Sequence, residues 1–173
     1  IANRSYFNYC DFIVDDNYRG GDDFYAHVSM WKVNGIRFTG CNFQNKQTTI
    51  AESNKLGQGI ISIDAEYSVT GACSSLQPIG QPCPEENLTP STFKGLDHGI
   101  QASVSSTDRS FLVSDCVFTD NVIGIYSNSV NSFHVFRSNF TGGGRQVAAM
   151  GAIDQPIFSI GGHHGIYSTF GHG

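Results

Sequence analysis

A Cys-x-Phe or Ser-x-Phe triplet recurs five times along this chain: Cys10-Asp11-Phe12, Cys41-Asn42-Phe43, Ser91-Thr92-Phe93, Cys116-Val117-Phe118 and Ser138-Asn139-Phe140. A second mark, Gly-Ile, returns at Gly59-Ile60, Gly99-Ile100, Gly124-Ile125 and Gly165-Ile166. The two marks keep phase, since six residues separate Phe93 from Gly99 and six separate Phe118 from Gly124. Self-similarity at roughly 20–50 residues is the signature of a stacked architecture, in which each repeat buries its apolar face only against its neighbours.

Cys-x-Phe sets two apolar side chains two residues apart, on one face of a strand. The stretches leading into it, 36–43, 110–118 and 133–140, carry the aromatic and β-branched residues that strands favour. Asn34-Gly35, Asp120-Asn121 and Thr141-Gly142-Gly143-Gly144 read as turns between them. Phe93 to Phe118 is 25 residues and Phe118 to Phe140 is 22. At roughly 3.3 Å per residue such a span makes about three short strands with their turns, one rung of a parallel β-helix. Stacked rungs would set Cys10, Cys41 and Cys116, with Ser91 and Ser138, in one core column. Phe12, Phe43, Phe93, Phe118 and Phe140 would form a second, and Ile60, Ile100, Ile125 and Ile166 a third.

Composition agrees with a turn-rich β protein. Only 14% of residues are charged, against about 25% in an average domain. The net charge of -5 and the lack of a Lys/Arg cluster argue against nucleic acid as a partner. No apolar run approaches the length of a membrane-spanning helix. The chain opens on Ile1 and closes on Gly173 within a repeat, so residues 1–173 read as one β-helix segment of a larger protein.

Where the spacing lengthens, insertions are expected at 15–24, 46–58 and 70–87. The last contains Cys73 and Cys83, which read as a disulfide closing the inserted loop, a restraint worth roughly 3 kcal/mol; two exposed free thiols are the alternative. The column cysteines read as core packing, with a Cys10–Cys41 bridge as the alternative.

The stretches 27–43 (HVSMWKVNGIRFTGCNF) and 59–65 (GIISIDA), with Cys73 and Cys83 following, resemble secreted right-handed parallel β-helix repeat proteins of Bacteroidetes-type bacteria. The resemblance covers most of residues 5–141. It implies a multi-domain extracellular or cell-surface protein, commonly exported by the type IX pathway through a C-terminal sorting domain. It transfers no catalytic residues.

Candidate chemistry is sparse. Asp15, Asp16, Asp22 and Asp23, in a Gly-containing insertion, could gather oxygen ligands round Ca²⁺, although such insertions are commonly just solvated. Asp64 and Glu66, if on one strand, would share a face at roughly 6–7 Å, near the carboxylate spacing of glycosidases. Aligning Gly59 with Gly99 and Gly124 instead levels Asp64 with Val104 and Ser129, making it a turn residue that caps backbone amides. His163, His164 and the Gly171-His172-Gly173 run lack the companion elements of polygalacturonases and a third metal ligand at motif spacing. Tyr6, Tyr9, Tyr25, Trp31, Tyr67, Tyr126 and Tyr167 are the pool for sugar stacking, with Tyr126 and Tyr167 at one repeat position.

The reading is therefore an all-β chain, a right-handed parallel β-helix with rungs of about 22–25 residues and inserted loops. It would serve as an extracellular structural or display module without a cofactor. Its partners would be flanking rungs or domains, glycans or surface proteins, and an export machinery. The alternatives are a polysaccharide lyase or hydrolase and a carbohydrate-binding module.

Overall fold

A computed structural model describes residues 4–20, 23–50, 55–77, 81–107, 109–130 and 133–142, together with the backbone of 145–150 and 167–169. The fold is all-β, with no α-helix among the described residues. Three parallel sheets hold nearly all of the strands. The first contains, in spatial order, β1 (Ser5–Asn8), β4 (Asn34–Thr39), β7 (Glu66–Thr70), β12 (Phe111–Ser114) and β15 (Phe133–Phe136). The second contains β2 (Asp11–Val14), β5 (Asn42–Asn45), β10 (Ser91–Lys94), β13 (Cys116–Thr119) and β16 (Asn139–Thr141). The third contains β3 (Ala26–Trp31), β6 (Gln58–Ile63), β11 (His98–Ser103), β14 (Ile123–Asn128), β17 (Arg145–Met150) and β18 (Tyr167–Thr169). From β1 to β17 the chain visits first, second and third sheet in that order, pass after pass, apart from one small hairpin.

The register explains the recurring marks. Phe12, Phe43, Phe93, Phe118 and Phe140 pair in sequence across the second sheet. Their rings stack nearly parallel with centroids 4.8, 4.7, 4.7 and 4.6 Å apart, a spacing set by the separation of hydrogen-bonded strands. Ile60, Ile100 and Ile125 likewise align on the third sheet, flanked by Val28 and Val147; Ile166 lies outside the described residues. Gly precedes Ile for a steric reason. A Cβ on Gly99 would stand 2.5 Å from Gly124 O and 2.8 Å from the Phe118 ring, and one on Gly59 would meet Gly99 O and the Phe93 ring. The phenyl column and the glycine column thus occupy each other's space.

A single apolar cluster draws from all three sheets: Phe38, Val69, Val113 and Val135 from the first, the Phe column from the second, and Met30, Ile60, Ile100 and Ile125 from the third. Phe38 and Phe43 meet edge to face across the first and second sheets, 5.7 Å apart. Each fully buried side chain of this kind contributes about 1.5–3 kcal/mol.

One left-handed residue turns the chain at most corners. Tyr9, Gly40, Asp115 and Arg137 stand between first- and second-sheet strands, Lys32, Asp64 and Ser129 follow third-sheet strands, and Gly95, Asp120 and Gly142 follow second-sheet strands. Asn34-Gly35, expected as a turn, instead lies inside β4, where Gly35 (φ 72°) shifts the register against β7 as a bulge. Its left-handed backbone is accommodated by the extra bulge residue rather than by a chain reversal.

Cys73 and Cys83 form a disulfide, Cα atoms 5.7 Å apart, within the insertion between β7 and β10. The ends of that insertion pair antiparallel as β8 (Ala72–Cys73) and β9 (Leu88–Thr89).

Candidate functional site

The side chains proposed from the sequence do not assemble into one centre. Asp64 and Glu66 are not strand neighbours, because Asp64 is a left-handed corner residue (φ 51°) ahead of β7, whose first residue is Glu66. Asp64 is 1% exposed while Glu66 is exposed. The Asp64 carboxylate accepts from Ser105 N (2.7 Å), Ser105 Oγ (2.8 Å), Ser106 Oγ (2.8 Å), Ser106 N (3.1 Å) and Thr107 N (3.2 Å). Burial pushes its pKa up, but the hydrogen bonds from Ser105 and Ser106 outweigh it and hold the carboxyl well below the usual carboxylate range. A carboxylate so fully engaged shapes the 104–107 corner and has no lone pair to spare for catalysis.

The acidic insertion is similarly spread out. Asp16 accepts from Thr48 N and Thr48 Oγ1, both at 2.8 Å, which ties the 15–24 insertion to the 46–58 insertion of the next pass. Asp15 accepts from Asn17 N (2.9 Å), and Asp23 faces Lys55 Nζ at 3.7 Å. Asp22 lies outside the described residues, as do His163, His164 and His172. Among the described residues no three His, Cys, Asp or Glu side chains converge to hold a metal ion.

Cys10, Cys41 and Cys116 are free thiols. Their column alternates with serine for a reason beyond size. Ser91 Oγ accepts from Cys41 N (3.0 Å) and donates to Thr70 O (2.7 Å). Ser138 Oγ accepts from Cys116 N (3.3 Å) and donates to Phe136 O (3.2 Å), while Cys116 Sγ donates to Ser114 O (3.2 Å). A small S–H or O–H is what the corner between first and second sheet requires to satisfy its backbone. Burial pushes the Cys116 and Cys41 thiols up in pKa, which makes them unreactive.

Of the aromatic pool, Tyr67 is a correction. It is 4% exposed, its hydroxyl accepts from Ser62 Oγ at 3.2 Å, and its ring stacks on Phe111, because its position in β7 faces the core. Tyr6, Tyr9, Tyr25 and Trp31 are exposed, all on the first pass. Tyr126 pairs with Ala148, and Ala148 with Tyr167, so the two tyrosines share a register position with one strand between them.

The concave feature lies elsewhere, on the outer face of the first sheet. It is a cavity of about 300 Å³ lined by Arg4, Gly35, Arg37, Glu66, Ser68, Ser110, Leu112 and His134, with Ile36, Tyr67 and Phe111 beneath. Tyr6, Arg37, Ser68, Leu112 and His134 form one register row across β1, β4, β7, β12 and β15. The bulge at Gly35 and the short side chains of Ser68 and Ser110 leave the depression, and longer side chains wall it. The Arg37 guanidinium lies 5.9 Å from the Tyr6 ring, within reach of a cation–π contact. Asn34 and Arg109 adjoin the lining, with Arg109 Nη1 donating to the Asn34 amide oxygen (3.2 Å). A second cavity, about 440 Å³, lies between the disulfide loop (Pro82, Cys83, Glu85, Leu88) and the corner bearing the Arg137–Asp115 pair, whose two hydrogen bonds are 2.6 and 2.7 Å.

Sequence reasoning named Glu66 but missed Arg4, Arg37, Ser68, Leu112 and His134. The available signal was the apolar-x-apolar frame Ile36-Arg37-Phe38, Tyr67-Ser68-Val69, Phe111-Leu112-Val113 and Phe133-His134-Val135, whose middle residues share the outward face. No family model, curated protein or solved structure matches the chain.

Proposed function

We propose that the chain is a stretch of right-handed parallel β-helix that acts as an extracellular structural and display module of a bacterial surface or secreted protein. The observation that carries this reading is the unbroken stack of five phenyl rings from Phe12 to Phe140, repeated at the strand spacing through successive visits to three sheets. A stack of this kind makes a stiff rod, in which each pass is stabilised by the passes on either side. The Cys73–Cys83 disulfide supports an oxidising compartment, and type IX export and a Bacteroidetes-type source are proposed on the sequence resemblance alone. Flanking rungs, surface proteins and glycans are the proposed partners.

Limited thermolysin digestion followed by mass mapping tests the rod. Cleavage should be confined to 15–25, 46–57 and 71–90, and early cuts inside β10–β14 would sink the reading. Fractionation of the source cells tests the compartment. The protein should be recovered outside the cytoplasm with Cys73–Cys83 oxidised, and a reduced cytoplasmic pool would remove the extracellular assignment. The lyase or hydrolase reading draws support from one observation, the presence of Glu66, Arg37 and His134 in the lining of one first-sheet groove. Turnover of an oligosaccharide by the purified chain would put it ahead.

A further inference from the structure

We propose that the groove on the outer face of the first sheet is a binding site for a carboxylated saccharide, with Arg37 gripping the carboxylate. The site rests on the sheet and its register, not on the rod's compartment or handedness.

Charge is the first argument. The chain carries 10 Lys and Arg against 15 Asp and Glu, yet this groove holds Arg4 and Arg37 against the single acid Glu66. No ion pair among the described residues occupies Arg4, Arg37 or Glu66. Arg37 lies 5.9 Å from the Tyr6 ring, a cation–π contact, and a guanidinium fork matches a carboxylate in two parallel hydrogen bonds.

The rest of the lining selects a polyol rather than a compact anion. Glu66 supplies an ionised acceptor for the hydrogen bonds that hydroxyl groups donate. Ser68 and Ser110 add hydroxyls that both donate and accept, His134 adds a ring nitrogen, and Leu112 offers an apolar patch for the C–H face of a sugar ring. Length is the third argument. Arg37, Ser68, Leu112 and His134 are consecutive in one row, so three strand spacings, about 14 Å, separate the ends. A ligand that reaches both ends is extended, an oligomer and not a single ion. A cavity near 300 Å³ accommodates one small-ligand unit at its deepest point.

Calorimetric titration of the full chain tests the assignment, with a galacturonate tetramer, the neutral galactose tetramer, a sulfated oligosaccharide of equal length and a tetraglutamate peptide. The galacturonate tetramer should bind, with affinity that falls as salt rises. Arg37→Ala should weaken it about tenfold or more, the loss of one charge-assisted contact. Ser68→Trp should abolish binding by filling the groove, while Lys94→Ala, on the outer face of the second sheet, should leave it unchanged. Circular dichroism and melting of each variant separate loss of binding from loss of fold. Equal binding of the neutral tetramer or the peptide, tighter binding of the sulfated oligomer, no heat at millimolar ligand, or an unaffected Arg37→Ala variant would each overturn the proposal. A protease-resistant rod that fails these titrations would lose the site and keep the scaffold role.

Discussion

Phe12 and Phe93 occupy the same position of the same repeat, yet only one is a core residue. Phe93 is fully buried between Phe43 and Phe118, each 4.7 Å away. Phe12 stacks on Phe43 from one side only and remains half-buried. The contrast extends to the whole first pass. β1, β2 and β3 are the edge strands of the three sheets, every residue of β1 is exposed, and Ile13 and Trp31 are exposed while Phe7, stacked on Phe38, keeps one face uncovered. Where later passes carry glycine ahead of isoleucine, the first pass carries His27 ahead of Val28, packed 4.6 Å from Phe24. A repeat position therefore has no fixed energetic worth; the neighbours on either side supply it.

Substitution of the two phenylalanines gives the largest test of that contrast. Phe93→Ala should cost about 3–5 kcal/mol of unfolding free energy, as full burial and a residual cavity dictate, and Phe12→Ala less than half as much. Equal losses in urea melts would show that the first pass is as tightly held as the middle. Next in size is Gly99→Ala, which drives a methyl group against Gly124 O and the Phe118 ring; a loss of about 1–3 kcal/mol is expected from overpacking. Gly20→Ala, outside the stacked passes, is the comparison, and there the methyl group meets the Tyr18 ring, a side chain rather than backbone.

Acid should act on the first pass before the middle. Burial lowers His27 to about 4 against an opposing hydrogen bond with the Gln44 backbone. A histidine lowered in the folded state contributes fully above its unfolded pKa, near 6.5, and that stability drains away as pH falls toward 4. Partial exposure reduces the effect to roughly 1–2 kcal/mol. His27→Gln should flatten the stability profile over this window in pH-dependent melts. A further step follows at lower pH. The lowered Asp64 contributes above the ordinary carboxylate pKa, and its share is lost only as pH falls below about 4. Asp64→Asn should remove that acid limb while leaving the His27 window in place; a single undivided transition in both variants would break the assignment.

The parts legible in the sequence were those carried by local pattern. Two-residue spacing in Cys-x-Phe put both side chains on one strand face, the spacing of 22 and 25 residues called for parallel strands, and the isolated position of Cys73 and Cys83 set them apart as a pair. Only some corners were legible: Asp120 and Gly142 turn the chain where turns were expected, whereas Tyr9, Lys32 and Arg137 adopt left-handed backbone that their residue types rarely choose. Asp64 and Glu66 share no strand face because Asp64 is itself a left-handed corner residue, which breaks the two-residue periodicity ahead of Glu66; the other reading of Asp64, a turn residue capping backbone amides, is the one the hydrogen bonds bear out.

Sequence alone determined that this is an all-β chain with stacked apolar columns, since those follow from short-range alternation and spacing; of the two readings it left for Cys73 and Cys83, the structure gives the disulfide. Tertiary structure alone decided which outward residues meet. Arg37, Ser68, Leu112 and His134 lie as far as 97 positions apart, from 37 to 134, and become neighbours only once the register of four strands is set. Outward residues carry no packing constraint to mark them, so hydrogen-bonded register, and not composition, makes them a site.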